Sequence, residues 1–479
     1  MLGRITSPSM MSSSPKRVLH STVSNWNDKS DTLRIQETDA NETDEYLYRR
    51  DLESMLVWAA QSGVKFAPGL QLVEGVDDLN DWGLAMTQPQ ERGTAILTVP
   101  AKLLLSSNDQ ELRSIKQWMR QQPAMKYPTN LPECLLMVRI LQELYNDSGS
   151  LWYPWLRSLP TSFSTGLYLD DLERYFVQRM APEFLEDQQN QWETCRATIL
   201  SLIQNAPTDV VSTQFQNWLS QRDDLEDLLR WTFTTVFTRR WKTPNHQDAT
   251  IVPLGDMINH DSQKSNLQPF YHKDDSEELQ LCLTESGTGG AELFLSYGMS
   301  DYPARFLVHF GFCDLSAPYV QAHIDLGKNV EKTLEEYPPV DTTQLVVSTT
   351  DGAISEEVWN VFLYKVLRQS DPMQLQRLQA AFDVGDAEFR ELLEELMSKW
   401  EWEAGLALRS HIQDVLEAMY APISVSESDL CHHFNLAMLV NYNLFLRETF
   451  VRALGHVNMV LDQAKDFRKM KEVKKDYVT

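Results

Sequence analysis

The sequence predicts an α+β protein, in which strands and helices occupy separate stretches of chain rather than alternating. Three observations predict it. Short β-branched runs bounded by Gly, Pro and Asp fall near residues 82–100 and again near 251–296. Helical periodicity fills the stretch between them, from Ala101 to about Arg240. Helical patterning then returns at about residue 350 and continues to the end.

The first 45 residues hold few large apolar side chains and read as disordered. Residues 1–27 carry Arg4, Lys16 and Arg17, many Ser and Thr, and no acid before Asp28, a pattern shared by disordered tails and organelle transit peptides. A helix is predicted near Glu45–Ser62, where Leu52, Met55, Leu56 and Ala59 recur at helical spacing. Strands follow at Trp82–Thr87 and Thr94–Pro100, the second ended by its Pro. Pro132–Leu144 and Asp224–Phe237 are the clearest helices of the next stretch. Strand character resumes at Ile251–Leu254, Leu279–Leu283 and Glu292–Ser296. The Gly-rich Ser286–Gly290 segment precedes a strand and has no following Lys, so it reads as a strand-to-strand turn and not a phosphate loop. In the last helix Leu439, Tyr442, Leu446, Phe450, Leu454, Val457 and Leu461 form one apolar stripe. The basic run Lys465–Lys475 fits cations near a helix C-terminus.

With 479 residues the chain can bury two or three cores. Its 42% hydrophobic and 23% charged residues are those of an ordinary globular protein, and no apolar run reaches the roughly 18 residues of a membrane helix. A net charge of -25 argues against nucleic acid as a partner, because phosphate contacts need clustered Lys and Arg. An acidic surface favours basic partners such as lysine-rich protein segments. Cys134, Cys195, Cys282, Cys313 and Cys431 include no CxxC and read as reduced thiols of an intracellular protein. His246, His260 and His272 lack compact ligand spacing, so no metal is expected. The expected state is a monomer in the cytoplasm or nucleus, with an organelle as the alternative.

Two segments concentrate polar residues at the ends of apolar, strand-like runs. One is Ile251-Val252-Pro253-Leu254-Gly255-Asp256-Met257-Ile258-Asn259-His260. The other starts as Glu292-Leu293-Phe294-Leu295-Ser296-Tyr297-Gly298 and closes with Phe306-Leu307-Val308-His309-Phe310-Gly311-Phe312. From residue types alone, Tyr297 fits either a phenol held at a strand end or ordinary half-buried packing. Asn259 and His260 fit a polar site or a turn. Arg239 and Arg240 are two helix-end cations.

In order, spacing and residue types these segments resemble the C-terminal half of a SET-domain protein methyltransferase. The resemblance is to the branch containing the Rubisco large-subunit lysine methyltransferase and the actin-histidine methyltransferase. The run Leu151-Trp152-Tyr153-Pro154-Trp155-Leu156-Arg157-Ser158-Leu159-Pro160 is similar to one that the branch carries in its insertion. The likeness covers roughly residues 45–460 and implies a SET β core over 46–320, interrupted by a helical insertion at about 101–240. It further implies an all-helical substrate-binding domain over 321–465, a disordered or targeting segment at 1–45 and a basic tail at 466–479.

The activity implied is methyl transfer from S-adenosyl-L-methionine to a lysine side chain of a non-histone protein. A histidine acceptor and a catalytically silent SET scaffold are the alternatives. A lysine amine titrates at about 10.4, so such a site must desolvate it and align its lone pair, whereas imidazole is largely neutral near pH 7. By resemblance Tyr297 is the catalytic tyrosine, and Asn259 and His260 hold the cofactor. Arg239 would meet the cofactor's carboxylate with its guanidinium fork. Asn80, Asp81 and Trp82 would form the first cofactor loop, and Asp256, Tyr271 and Phe310 would contact substrate. The chain departs from the family in three places. Asp81 replaces the first glycine of a Gly-x-Gly whose second is Gly83, the Met299–Arg305 segment lacks the usual Ser-Asn pair, and Phe310 stands where the Rubisco enzyme has a channel tyrosine.

Overall fold

The computed structural model describes residues 50–74, 82–121, 130–180, 182–242, 248–271, 278–287, 289–298, 303–322, 340–341, 344–420, 433 and 435–476. The chain divides into two compact units. The first comprises the described parts of Met1–Tyr168, Glu183–Tyr297 and Val308–Gly311, the second those of Leu169–Pro182, Gly298–Leu307 and Phe312–Thr479.

In the first unit the opening helix, Leu52–Gln61, begins where Asp51 caps it by accepting from the Ser54 N–H at 3.2 Å. The predicted start at Glu45 lies outside the described residues. Eleven labelled strands follow. β1 is Lys65–Phe66, β2 Leu70–Glu74, β3 Trp82–Met86, β4 Ala95–Pro100, β5 Leu105–Ser106 and β6 Arg240–Lys242. β7 is Ala249–Ile251, β8 Asn259–His260, β9 Leu267–Tyr271, β10 Glu278–Leu283 and β11 Ala291–Leu295. They form three small sheets, ordered β1-β4-β10-β9, β2-β3-β11-β8 and β5-β7-β6. Every pairing among them is antiparallel except β8 with β11. The Gly-rich turn joins β10 to β11, as its flanking strands require.

Helices occupy the stretch between β5 and β6. Leu131–Asn146 and Leu225–Arg239 correspond to the two clearest predicted there, and Leu135, Leu136, Ile140, Phe233 and Val236 from them are fully buried. Both overrun their predicted ends by about a turn or less, the uncertainty that fraying termini carry.

One expectation is corrected. The strand read at Ile251–Leu254 ends at Ile251, because Pro253 has no N–H for a ladder and Leu254 turns to φ +70. The chain then enters a short 3-10 turn, Gly255–Met257. A left-handed leucine costs about 1–3 kcal/mol, offset here by burial of its side chain. The run Phe306–Phe310, for which no element was assigned, belongs to the helix Pro303–Phe310, which starts with a proline whose fixed φ suits a first helical position.

The second unit holds the helices Asp171–Met180, Glu356–Ser370, Pro372–Val384, Asp386–Tyr420 and Leu436–Asp476, with a hairpin of β12 (Tyr319–Gln321) and β13 (Val346–Ser348). Leu439, Tyr442, Leu446, Phe450, Val457 and Leu461 form the buried stripe of the last helix. Leu454 is only half-buried and the smaller Ala453 takes its place in the stripe, since 3.6-residue spacing outranks side-chain size. Among the described residues no helix is long and apolar enough to cross a membrane.

Gly352, at φ +73, shows how tightly this unit is closed. A Cβ there would lie 2.4 Å from the backbone of Arg452 and Ala453, whereas one at Gly93, at φ +82, would meet nothing within 4 Å. Chemical denaturation should therefore show Gly93→Ala losing about 1 kcal/mol for its backbone alone, and Gly352→Ala losing clearly more. Equal losses would mean that the helix backbone gives way.

Candidate active site

The polar ends of the two sequence segments meet because β8 runs parallel to β11, which sets Asn259 opposite Phe294 and His260 opposite Leu295. Tyr297 follows two residues beyond that pairing. Its backbone N–H donates to His260 Nδ1 at 3.1 Å, and its phenol donates to the Ile258 carbonyl at 2.7 Å. Main chain and side chain of Tyr297 are thus both tied to residues 258–260. Since a backbone N–H can only donate, Nδ1 accepts, and the imidazole proton sits on Nε2, 3.2 Å from Ser262 Oγ. The Leu295 carbonyl lies 3.1 Å from the same Nδ1 and also accepts from the Asp261 N–H at 3.4 Å. The Tyr297 ring lies against two others, its centroid 5.1 Å from that of His260 and 5.1 Å from that of Phe310.

Asn259 Nδ2 donates to Glu292 Oε1 at 3.0 Å, and both side chains sit over Gly83 of β3. A Cβ at Gly83 would come within 2.6 Å of Glu292 Oε1 and 2.9 Å of Asn259 Nδ2. Only glycine leaves room for this amide–carboxylate pair.

Arg239 closes the helix Leu225–Arg239 and holds the 3-10 turn. Its Nη1 donates to the Asp256 carbonyl at 2.8 Å and to Asp256 Oδ2 at 3.2 Å, while Trp155 Nε1 reaches the same Oδ2 at 3.1 Å. The Asp256 side chain has 0% exposure and that of Arg239 12%. Among the described residues, Arg239 Nε and Asp256 Oδ1 are buried without hydrogen-bond partners. The neighbouring Arg240 points elsewhere, donating to Glu133 Oε1 at 2.8 Å.

No protein-family model matches the chain. It is similar to the actin-histidine N-methyltransferase of Dasypus novemcinctus, 24% identical over 280 residues covering 57% of this chain and 44% of that protein. The Xenopus tropicalis and Homo sapiens proteins of the same name are also 24% identical, over 57% of this chain and 45% and 44% of theirs. The chain thus spans less than half the length of the curated relatives it matches. Among solved structures it is similar to Rubisco LSMT bound to AdoMet, with a TM-score of 0.58, 13% identity, and coverage of 88% of this chain and 96% of that one. It is also similar to the SET domain of LSMT bound to lysine and AdoHcy, with a TM-score of 0.57, 14% identity, and coverage of 87% and 91%. The chain has the SET-domain fold.

This SET domain brings Asn259, His260, Tyr297 and Phe310 together. It sets Arg239 and Asp256 against each other, so the carboxylate expected beside a substrate amine is instead enclosed with a guanidinium and an indole. Trp82 is buried in β3 next to Gly83. Tyr271 ends β9, in a different sheet from Asn259. Asn80 and Asp81 lie outside the described residues. Sequence reasoning did not single out Glu292, the Ile258 carbonyl, Ser262 or Trp155 for the site. Trp155 lay within the quoted Leu151–Pro160 run, and Glu292 opened the strand that leads to Tyr297.

Removing one member of a buried ion pair strands the other. Asp256→Ala should therefore destabilise the SET domain by about 3–5 kcal/mol in chemical denaturation. A loss below about 1 kcal/mol would mean that water reaches Arg239 in place of the carboxylate.

Proposed function

We propose that the chain is an S-adenosylmethionine-dependent protein methyltransferase with Tyr297 as its catalytic residue. One observation carries this reading: the phenol at the end of β11 is locked to the segment that presents Asn259 and His260. The residues present fit the cofactor. Asn259 contributes a carbonyl oxygen, and the buried Arg239 Nε is a donor that a carboxylate would satisfy. The cofactor, when bound, supplies a methyl group on a sulfonium for in-line displacement by a nitrogen.

The chain's own groups do the rest. Because the Tyr297 phenol donates its hydrogen bond to the Ile258 carbonyl, its oxygen lone pairs can act as acceptor and orienter. His260 holds the Tyr297 backbone, so the phenol's position is set from two directions. His260 and Phe310 pack against the ring, and the apolar edge they give the site would favour a neutral acceptor nitrogen. Asn80, Asp81 and the Trp82 backbone complete the cofactor loop, and Arg239 meets the carboxylate while Asp256 holds Arg239 in place. Tyr271 and Phe310 contact substrate. Residues 46–320 are assigned to the SET domain, with its insertion at about 101–240, and 321–465 to substrate binding.

The acceptor in this reading is a lysine of a protein, the side chain named in the ligands of the solved structures of the same fold. A histidine acceptor is the second reading. It is favoured by the names of the sequence relatives and by Phe310, which offers an apolar edge to a flat imidazole. Incubation with isotope-labelled S-adenosylmethionine and protein extracts, followed by peptide mass spectrometry, separates the two. Tyr297→Phe should lower transfer about 10–100-fold while cofactor binding survives. Folded wild-type protein that binds no cofactor would leave the silent scaffold as the better reading.

A further inference from the structure

Glu292 has no role in the methyltransferase chemistry so far, yet it makes the contact that decides which way Asn259 faces. A primary amide has a donor end and an acceptor end of nearly equal size, and packing alone discriminates weakly between its two flips. A carboxylate oxygen 3.0 Å away does discriminate, because it accepts and cannot donate. The reverse flip would bring Asn259 Oδ1 against Glu292 Oε1, two acceptors in contact.

The pair is built by three strands. Alternation along β11 puts Glu292 and Phe294 on one face and the buried Leu293 and Leu295 on the other. Asn259 lies opposite Phe294 and so shares the Glu292 face. Gly83 beneath them supplies the space, and any larger residue would push the amide and carboxylate apart.

We propose that Glu292 is a positioning residue. By accepting from Asn259 Nδ2 it turns Oδ1 outward, as the acceptor for the α-ammonium group at the amino-acid end of the cofactor. This rests on the methyltransferase reading and adds to it the residue that aims the Asn259 oxygen. Asn259 is half-buried, and its Oδ1 accepts no hydrogen bond among the described residues. An ammonium, which only donates, matches that orientation.

The test is a calorimetric cycle on the full chain with two stable ligands, S-adenosylhomocysteine and its desamino analogue, in which hydrogen replaces the α-amino group. Wild type should prefer the amino form. Glu292→Ala should reduce that preference about tenfold, the equivalent of one charge-assisted hydrogen bond, and leave the desamino analogue's affinity unchanged. Glu292→Gln keeps an oxygen acceptor for Nδ2 and should stay within about threefold of wild type. The inference is overturned if Glu292→Ala keeps the wild-type preference, or if it weakens both ligands equally, as a merely structural residue would. It is also overturned if Glu292→Gln fails as badly as Glu292→Ala, because the charge would then be acting on the ammonium directly. Wild-type protein that binds neither ligand would instead remove the methyltransferase reading, and this inference with it.

Discussion

Two residues of parallel strand carry the architecture of the site. Asn259 and His260 pair with Phe294 and Leu295, and this is the only parallel pairing among the described strands. So short a ladder has few hydrogen bonds of its own to hold its register. Tyr297 supplies what is missing, since its amide and its phenol both bind back to residues 258–260. The residue proposed to orient the acceptor nitrogen is therefore also the clasp that keeps the cofactor segment in register. This double use explains why Tyr297 sits two residues beyond the end of the strand rather than within it. Inside the strand its amide would be committed to the ladder.

Around that clasp the protein bears local costs that a purely structural turn would avoid. Leu254 is held in a left-handed conformation, and the turn it starts places Asp256 inside the domain, where Arg239 and Trp155 enclose it. A buried ion pair is a poor source of net stability, but its directional hydrogen bonds specify one arrangement. Here they specify the path from Ile251 to Ile258, and hence where Asn259 begins. Glycine at position 83 serves the same end by letting Asn259 and Glu292 lie against the backbone of β3. The site is thus positioned by contacts from several different segments to residues 256–260.

Much of this was legible in the sequence, and unevenly so. Periodicity traced the order of strand and helix stretches, and the resemblance of the two motifs to a known family supplied the SET fold. The meeting of Tyr297 with Asn259 and His260 was readable from the resemblance of their two motifs to a known family. The end of β7 was not, because Ile251 to Leu254 is apolar throughout and only the missing N–H of Pro253 hints at the turn. The partners of Asp256 were not readable either: its place near a substrate amine came from the resemblance alone, and Arg239 and Trp155 reach it from distant parts of the chain. Glu292 was passed over because a charged residue opening a strand is common, and its partner lies on another strand. In the C-terminal stripe the bias ran the other way: Leu454 was preferred for its size, although helical phase buries Ala453.

The most direct test of the central claim is a crystal structure of the full chain with S-adenosylhomocysteine. The account predicts the ligand's amino-acid end at Asn259 and its sulfur beside the Tyr297 phenol, with the β8–β11 pairing unchanged. A ligand bound away from both residues, or a 258–260 segment that leaves β11 when the ligand enters, would contradict it.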